Sequence, residues 1–436
     1  MGASLLQRRI AIGGATGFLG SYLCAWFLRE GWEVVAVARD CREQGADARV
    51  RRSVSEIPDF RELPLDRLQV LGWDLPDGPV PEKAGSLLAG TPFINTIASL
   101  KHGEHHRAEI LHTNVEGTRR LLEGLVACGS GKLLHMSTAF VCGQTAGELR
   151  EREAVLDPAA FNNLYEESKA QAERLLLAQS DLPVDILRPS IIVGSSRTGW
   201  AKNFTGYYAL YAVLRSALEQ VRAAFGGRSI DYLPLRLPGV PCACTDIVPV
   251  DYVAELTGRL VQADLEGRVP EGAGRILHIV SSQVRRTSAF FLDAAQRHLG
   301  FTGAQFVPPS LISNAHPLER WCASRLRFNN AYTVRDYRFR DDCVKQRLDG
   351  RLPVGLDADA VVMDRINDFF ARSLAASAAA ESPRMEPEKV SFLAKKLSEH
   401  PEFTRRNEID RRPTAAARPD TAAASAGADR DSTLLW

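Results

Sequence analysis

A tyrosine and a lysine four positions apart are the residues whose spacing most directly suggests chemistry. Tyr165 and Lys169 form a Tyr-x-x-x-Lys motif, and in a helix residues at this spacing lie on the same face. A phenol has an ordinary pKa of about 10, and a neighbouring ammonium favours its phenolate form. The tyrosine can then donate or accept a proton near neutral pH. Because the motif alone is common by chance, its meaning depends on the elements that position it.

Glycines between a predicted strand and a predicted helix indicate a phosphate-binding turn. Residues Ile10–Gly20 read I-A-I-G-G-A-T-G-F-L-G, with Gly14, Gly17 and Gly20 at Gly-x-x-Gly-x-x-Gly spacing. The first glycine permits a tight turn, the second lets backbone amides approach a pyrophosphate, and the third lets helix and strand pack closely. The phosphates then lie at a helix N-terminus, which favours negative charge. A purely structural turn is the alternative, and the strand pattern Glu33–Val37 that follows the helix disfavours it.

Apolar strand-like runs alternate with helical stretches through the first half of the chain. Such alternation predicts an α/β fold of the Rossmann type, a doubly wound parallel sheet covered by helices on both faces. The predicted strands are Ile10–Ile12, Val34–Val37, Leu68–Leu71, Phe93–Ile97, Leu133–Met136 and Asp185–Leu187, and the main helices are Leu19–Arg29, Arg107–Cys128 and Tyr165–Gln179. Ligands of such sheets bind beyond the carboxyl ends of the strands. The small residues Asn95–Ser99 and the hydroxyls of Ser137 and Thr138 stand at two of these ends.

The end of the second strand predicts which nicotinamide cofactor binds. Members of this architecture that bind NAD hold the ribose 2′-hydroxyl with an acidic residue at this position, where this chain has Ala38 followed by Arg39. A guanidinium without a carboxylate fits a 2′-phosphate and favours NADPH, although Arg39 as a plain surface residue, or Arg42 in its role, stays open. Asp74 after the third strand is placed to accept a hydrogen bond from an adenine amino group, with a turn aspartate as the alternative.

Together these motifs resemble the extended short-chain dehydrogenase/reductases over residues 8 to 285. The resemblance rests on Gly14–Gly20, Arg39, Asp74–Leu75, Asn114–Thr118, Ser137–Thr138, Tyr165 with Lys169, and Arg188–Ser190. It implies that Thr138 hydrogen-bonds the substrate oxygen, that Tyr165 is the acid/base, and that Lys169 binds the nicotinamide ribose and tunes Tyr165. The cofactor-binding residues it implies are Gly14, Thr16, Gly17, Phe18, Leu19, Gly20, Arg39, Asp74, Leu75, Thr96, Ile97, Ala98, Asn114, Lys169, Pro189, Ser190 and Ile191.

Three further segments resemble the thioester reductase and fatty acyl-CoA reductase group, which is male-sterility-like. They are Arg188–Gly199 (R-P-S-I-I-V-G-S-S-R-T-G), Phe161–Tyr165 and Asp246–Ala254. The resemblance implies reduction of an acyl thioester, carried by CoA or an acyl carrier protein, to an aldehyde, and in some members onward to the alcohol. Hydride from NADPH attacks the thioester carbonyl, and Thr138 and Tyr165 stabilise the developing oxyanion.

Two other functions are compatible with the same fold. One is an NADP-dependent reductase or dehydrogenase of a ketone or hydroxyl substrate that is sterol-, flavonoid- or sugar-like. The other is an NADP-binding sensor without catalysis. The intact set of Thr138, Tyr165 and Lys169 argues against the sensor, because a sensor needs no acid/base pair.

The bulk composition excludes several other classes. The net charge is +1 over 436 residues, which gives no electrostatic reason to expect nucleic acid binding. No apolar run approaches the length of about 20 residues that crosses a bilayer, so no integral membrane segment and a cytoplasmic location are predicted. No metal site is predicted, since the chain has neither an HExxH motif nor a Cys/His framework.

The sequence also predicts the domain organisation. Residues 1–285 form the NADP-binding Rossmann domain, with a substrate insertion at about 198–240, whose apolar residues line an acyl tunnel or simply pack as a helix. Residues 286–375 form a mostly helical C-terminal substrate lobe, and residues 376–436 form a disordered tail with one short helix at Phe392–Leu397. The basic residues of the insertion meet a phosphopantetheine or a carrier-protein surface, or are a solvated face; they are Lys202, Arg215, Arg222, Arg228 and Arg236.

Overall fold

The computed structural model describes residues 8–41, 43–75, 77–154, 157–281, 284–312, 314–377 and 385–409. The chain divides into two compact units, each built from separate stretches of sequence. The first unit comprises Met1–Asn203, Cys242–Thr287 and Arg335–Ala376, and the second comprises Phe204–Pro241, Ser288–Val334 and Ser377–Trp436. Within the described ranges, no helix is both long enough and apolar enough to cross a membrane.

The regular elements alternate along the first unit as the hydrophobic pattern predicts. The strands are β1 Arg9–Gly13, β2 Glu33–Ala38, β3 Leu68–Gly72, β4 Pro92–Asn95, β5 Lys132–Met136, β6 Gly147–Leu149, β7 Val184–Pro189, β8 Ile191–Val193, β9 Tyr232–Pro238, β10 Ile247–Pro249, β11 Ile276–Ile279, β12 Thr302–Val307 and β13 Tyr337–Phe339. The α-helices are α1 Phe18–Arg29, α2 Ala46–Ser55, α3 Ala84–Leu88, α4 Arg107–Leu111, α5 Gly117–Ala127, α6 Leu164–Leu177, α7 Tyr207–Ala224, α8 Val250–Leu265, α9 Ser288–Leu299, α10 Pro317–Arg325, α11 Arg327–Thr333, α12 Asp342–Arg347, α13 Ala360–Ala376, α14 Pro387–Glu399 and α15 Pro401–Arg406.

A seven-stranded sheet forms the centre of the first unit. Its strand order is β11-β7-β5-β4-β1-β2-β3, and its neighbouring strands are parallel. Alternate residues of β1 enter different cores: Ile10 and Ile12 pack with α1 and α8, whereas Ala11 packs with α5. A sheet buried on both faces needs apolar residues on both, which explains the continuous apolar runs of these strands. The predicted Rossmann-type fold is confirmed.

The sheet register aligns the polar ends of three neighbouring strands. Gly13 of β1 pairs with Asn95 of β4, and Asn95 pairs with His135 of β5. Switching from β1 to the adjacent strands on either side, β2 and β4, reverses the direction in which the chain winds. Ligands of open sheets bind at such a switch point, so the predicted site residues share one edge of the sheet.

The stretch Arg335–Ala376 completes the first unit, although the sequence grouped it with the 286–375 lobe. Its strand β13 pairs with β6, and its helix α12 packs against β11. The Arg347 guanidinium binds the Asp185 carboxylate of β7 through contacts of 2.6 and 2.9 Å. These contacts span more than 160 positions along the chain, and helical periodicity carries no information about them.

The second unit combines a short strand pair with helices. Strands β9 and β12 are parallel partners, and α7 packs against α9, α10 and α14. In the insertion, Arg215 pairs with Glu219 and Arg236 with Glu319, so these two basic side chains are occupied within their own unit.

The C-terminal region differs from the predicted disordered tail. Helices α14 and α15 cover residues 387–406, and they bury Leu393, Leu397 and Phe403. Phe403 packs against Phe225 at the end of α7, which is the apolar partner that gives this stretch a fixed position. The Ala- and Pro-rich part beyond residue 409 lies outside the described residues.

Candidate active site

The glycine turn has the backbone that its sequence requires. Gly14 has a φ of +80°, a conformation that side-chain-bearing residues rarely adopt. A Cβ on Gly20 would lie 2.2 Å from the Gly14 carbonyl oxygen, so only glycine allows α1 to start this close to the turn. Thr96 supports the same turn from β4, because its hydroxyl donates to the Gly13 carbonyl at 2.7 Å.

The start of α1 fits a pyrophosphate. Gly17 is its N-cap residue, no side chain caps the helix, and its first turn carries no acidic residue. The amides of Phe18 and Leu19 therefore face the N-terminal end of the helix without a side-chain acceptor, and the helix dipole favours an anion there. The residues present fit a dinucleotide cofactor.

A lysine that the sequence placed on a different surface lies beside this turn. The Lys202 ammonium donates to the Thr16 carbonyl and to the Ser53 hydroxyl, both at 2.9 Å. Its pKa is lowered by partial burial and by the nearby Arg49 and Arg52. Sequence reasoning missed Lys202 as a cofactor-side residue because 186 positions separate it from Thr16.

The predicted cofactor-selecting residues meet at the ends of β2 and β3. The Arg39 guanidinium lies 4.0 Å from the Asp74 carboxylate, and both side chains are about half exposed or more. Arg49 of α2 donates to the Arg39 carbonyl oxygen. Arg39 therefore keeps a free guanidinium edge, and Arg49 adds a second positive charge that the sequence did not single out. Arg42 lies outside the described residues.

Asn114 lies on a single turn of π-helix that interrupts the predicted helix Arg107–Cys128. This turn covers His112–Glu116, between α4 and α5. The Asn114 side chain accepts from the Ser99 amide at 2.7 Å and donates to the Ser168 hydroxyl at 2.9 Å. It thus ties the loop after β4, which contains Ile97 and Ala98, to the helix that carries Tyr165.

The hydroxyl residues follow β5 directly. Thr138 is buried, and its hydroxyl accepts from the Phe140 amide at 3.3 Å. The backbone amide of Ser137 donates to the Leu187 carbonyl at 2.7 Å, which fixes this strand end against β7. The buried Ser137 hydroxyl has no hydrogen-bond partner among the described residues. A buried, unpaired hydroxyl at a strand end is chemically suited to a bound ligand.

Helix α6 presents Tyr165 and Lys169 as their spacing predicts. Lys169 is 2% exposed, and its ammonium donates to the Met136 carbonyl at 2.5 Å, one residue before Ser137. Burial lowers the pKa of Lys169 to about 8, against the opposing charge of Glu173. Burial, and secondarily the charge of Glu166, raises the pKa of Tyr165 well above its ordinary value. Tyr165 is therefore a protonated phenol at neutral pH.

The segment predicted to flank the nicotinamide follows β7. Pro189 ends that strand, and the Ser190 amide donates to the Ile279 carbonyl of β11 at 3.1 Å. Ile191 begins β8, which pairs with β10. Just before β10, partial burial raises the pKa of the Asp246 carboxyl to about 6.

Two polar residues that sequence reasoning did not assign also belong to this neighbourhood. The Asn95 amide nitrogen lies 3.1 Å from His135 Nδ1, and His135 Nε2 lies 3.4 Å from Lys169 Nζ. Both are nearly inaccessible to solvent, at 2% and 0%. The available signal was a polar residue at the end of an otherwise apolar strand, in P-F-I-N and in K-L-L-H-M.

A family model agrees with this arrangement. The model described as "Male sterility protein" matches residues 12–257, more than half of the chain. The chain belongs to the male sterility protein family. This male sterility protein family member is an extended short-chain dehydrogenase/reductase of the thioester reductase group and an NAD(P)-dependent oxidoreductase.

Among relatives by sequence, the family member is similar to enzymes of different substrates. It is 25% identical over 233 residues to the dTDP-6-deoxy-L-talose 4-dehydrogenase (NAD(P)(+)) of Kitasatospora kifunensis, covering 52% of this chain and 63% of that enzyme. It is 26% identical over 293 residues to the isonitrile lipopeptide synthase of Mycobacterium tuberculosis, covering 61% of this chain and 11% of that enzyme. The chain thus spans less than two thirds of either relative.

Solved structures share the fold. The terminal R domain of the myxalamid PKS-NRPS biosynthetic pathway superposes with a TM-score of 0.64 at 22% identity, covering 88% of this chain and 94% of that domain. The UDP-glucuronic acid 4-epimerase of Bacillus cereus in complex with NAD has a TM-score of 0.55 at 17% identity, covering 85% of this chain and 99% of that enzyme. At these identities the likeness establishes the fold of the family member alone.

Proposed function

We propose that this protein uses NADPH to reduce an acyl thioester, carried by CoA or by an acyl carrier protein, to an aldehyde, with onward reduction to the alcohol as an optional second turnover. The observation that carries the proposal is the contact of Lys169 with the Met136 carbonyl. This contact holds the Tyr165 face of α6 against the strand end that bears Thr138. Membership of the male sterility protein family and the likeness to a terminal R domain support the thioester as substrate.

The side chains supply positioning and protons in this reaction. Bound NADPH would supply the hydride that the thioester carbonyl accepts. The hydroxyls of Thr138 and Tyr165 donate hydrogen bonds to the oxygen on which negative charge develops. Because its pKa is raised, Tyr165 still holds the proton that this oxygen requires. Expulsion of the thiol then leaves the aldehyde.

Arg39 supports NADPH as the preferred cofactor. Its guanidinium is 67% exposed and meets only the edge of Asp74, so it can bind a 2′-phosphate with charge-assisted hydrogen bonds. We expect Arg39→Ala to reduce the NADPH-to-NADH ratio of kcat/KM by about tenfold or more, because such bonds contribute about 1.5 kcal/mol or more. Arg29→Ala is the matched control, since Arg29 pairs with Glu30 at the opposite end of α1. An unchanged ratio in Arg39→Ala would assign the selection to another residue, Arg49 first.

A sugar-nucleotide oxidoreductase is the second candidate. The similarity to a dTDP-6-deoxy-L-talose 4-dehydrogenase favours it. Such an enzyme would use the same Thr138, Tyr165 and Lys169 set on a secondary alcohol or ketone of a nucleotide sugar.

A substrate panel separates the two candidates. Oxidation of NADPH is followed by its absorbance with acyl-CoAs of several chain lengths, an acyl-loaded carrier protein, simple ketones and a dTDP-4-keto sugar, and the aldehyde is trapped as an oxime. We expect turnover with at least one thioester and release of free thiol in equal amount. Turnover of the keto sugar without any thioester turnover would replace the proposed function with the second candidate.

A further inference from the structure

A buried row of three polar side chains crosses the sheet behind the Tyr165 and Lys169 pair. Asn95 ends β4, His135 lies beside it in the parallel register of β5, and Lys169 reaches down from α6. The distances are 3.1 Å from Asn95 Nδ2 to His135 Nδ1 and 3.4 Å from His135 Nε2 to Lys169 Nζ. All three side chains are almost fully buried, so each polar atom depends on its neighbours for a hydrogen bond.

The amide of Asn95 fixes the tautomer of His135. Asn95 Oδ1 accepts from the backbone amide of Ile97 at 3.0 Å, which is a donor only. The Asn95 NH₂ group must therefore face His135 Nδ1 and donate to it. Burial, together with the charge of Lys169, lowers the pKa of His135 far below its ordinary value, so the ring is neutral. A neutral ring that accepts at Nδ1 carries its proton at Nε2.

This tautomer directs an N–H donor at Lys169. An ammonium has three donors and no acceptor, so Nε2–H and a charged Lys169 Nζ oppose each other. A neutral amine has a lone pair that can accept from Nε2–H while an amine hydrogen still donates to the Met136 carbonyl, 2.5 Å away. Only the amine form of Lys169 satisfies both neighbours.

We propose that His135 is a positioning residue that selects the amine form of Lys169 by donating its Nε2–H to Nζ, so that Lys169 exchanges between amine and ammonium near neutral pH instead of remaining a permanent cation. The inference deepens the proposed reductase function, on which its catalytic meaning rests. Tyr165 then keeps its proton in the resting enzyme, because no fixed cation stands beside it to favour the phenolate.

The groups around Lys169 leave His135 as the decisive neighbour. On its own helix, Glu173 favours the ammonium, but the Arg188 guanidinium of β7 holds that carboxylate through a contact of 2.5 Å. Glu166 and Tyr165 interact with each other. Cys142, in the turn after Thr138, interacts with Glu166 and Arg188. The polar group that the helical turn before α5 presents to α6 is the uncharged Asn114 amide.

The test is the titration of Lys169 itself in the full-length chain. Protein labelled with ¹³C at lysine Cε is titrated by NMR without cofactor or substrate, and the Lys169 signal is assigned by its loss in Lys169→Arg. His135→Gln presents an amide oxygen that accepts from an ammonium, and His135→Phe removes the donor while keeping a ring. We expect both to raise the titration midpoint of Lys169 by on the order of one pH unit, the shift that one hydrogen bond to a single protonation state produces.

Ser130→Ala is the matched control, because Ser130 is buried just before β5 and its hydroxyl donates to the Thr91 carbonyl at 2.7 Å, away from Lys169. It should cost stability and leave the Lys169 midpoint unchanged. A midpoint that stays in place or falls in His135→Gln overturns the inference, even if His135→Phe does not fold. The titration needs no substrate, so a shifted midpoint in a protein that reduces no thioester would refute the proposed function alone. In the active enzyme, the pH profile of kcat should move with the midpoint.

Discussion

Tyr165 is the residue whose protonation state matters most in the proposed reaction. Its hydroxyl lies in a half-buried position on α6, and burial raises its pKa. Neutral solution therefore holds it as a proton donor, the form that reduction of a carbonyl consumes. The sequence alone, by placing a lysine one turn away, favoured the phenolate; the buried lysine with its own lowered pKa changes that balance.

Replacing Tyr165 with phenylalanine tests this role with little change of shape. We expect Tyr165→Phe to lower kcat by about 10²- to 10⁴-fold, because positioned proton transfer contributes that much to catalysis. The dissociation constant for NADPH, measured by fluorescence titration, should change by less than about threefold, since the ring and the Lys169 contact with the backbone remain. Undiminished turnover would remove Tyr165 from the chemistry.

At the residue scale, short-range spacing predicted more than long-range contacts did. Gly14, Thr138 and Lys169 were assigned from motifs a few residues long, and their roles stay predictions that the site geometry supports. Lys202 and His135 were not assigned, because each gains its meaning from a partner far away in sequence or on another element. A pattern reports which face a residue occupies but not which side chain lies opposite it.

At the scale of elements, the sequence predicted the main sheet because both faces of each strand are buried. Burial on two faces forces apolar runs such as those of β2 and β7, and these runs are visible without a structure. The π-helical turn at His112–Glu116 was not predictable, since it inserts one residue into a helix whose apolar pattern continues through it. It matters because it carries Asn114.

The short strand pair β8 and β10 lies beside the predicted nicotinamide segment, and Asp246 precedes β10. The Asp246 carboxylate accepts from the Ser281 amide at 3.1 and 3.2 Å, and its pKa is raised from 3.8 to about 6. A carboxyl with a raised pKa in the folded state stabilises the fold below its unfolded pKa, and this contribution is lost as the pH rises through the folded value. Above about pH 6 the charged, mostly buried group opposes folding.

Asp246→Asn should remove this pH dependence, because an amide oxygen still accepts from the Ser281 amide without carrying charge. We expect the free energy of unfolding of Asp246→Asn, relative to the natural protein, to rise by about 2 kcal/mol between pH 4 and pH 7, allowing for the partial exposure of the carboxyl. Urea denaturation at a series of pH values measures the difference. A difference that is constant over this range would show that Asp246 has the same proton affinity in both states.

At the scale of the whole molecule, the first unit is closed by contacts between stretches far apart in sequence. Arg335–Ala376 returns after the chain has built much of the second unit. Arg347 is 4% exposed and binds Asp185, which is 1% exposed and also contacts Lys132 at 2.6 Å. The sequence could not anticipate this return, since α12 and α13 look like any other amphipathic helices.

Breaking the Arg347 contact should therefore loosen the first unit as a whole. Arg347→Met leaves the buried Asp185 carboxylate with one cation fewer and the Gly274 carbonyl without its donor, and we expect a loss of about 3 kcal/mol in the free energy of unfolding. Arg351→Met is the matched control: Arg351 is 67% exposed beside the exposed Asp349, and its loss should stay within about 0.5 kcal/mol. Both are measured by urea denaturation, and Asp185→Leu combined with Arg347→Met should recover part of the loss, because the unpaired buried charge is gone. Equal losses for Arg347→Met and Arg351→Met would mean that the returning stretch stabilises the unit through its apolar contacts and not through this buried ion pair.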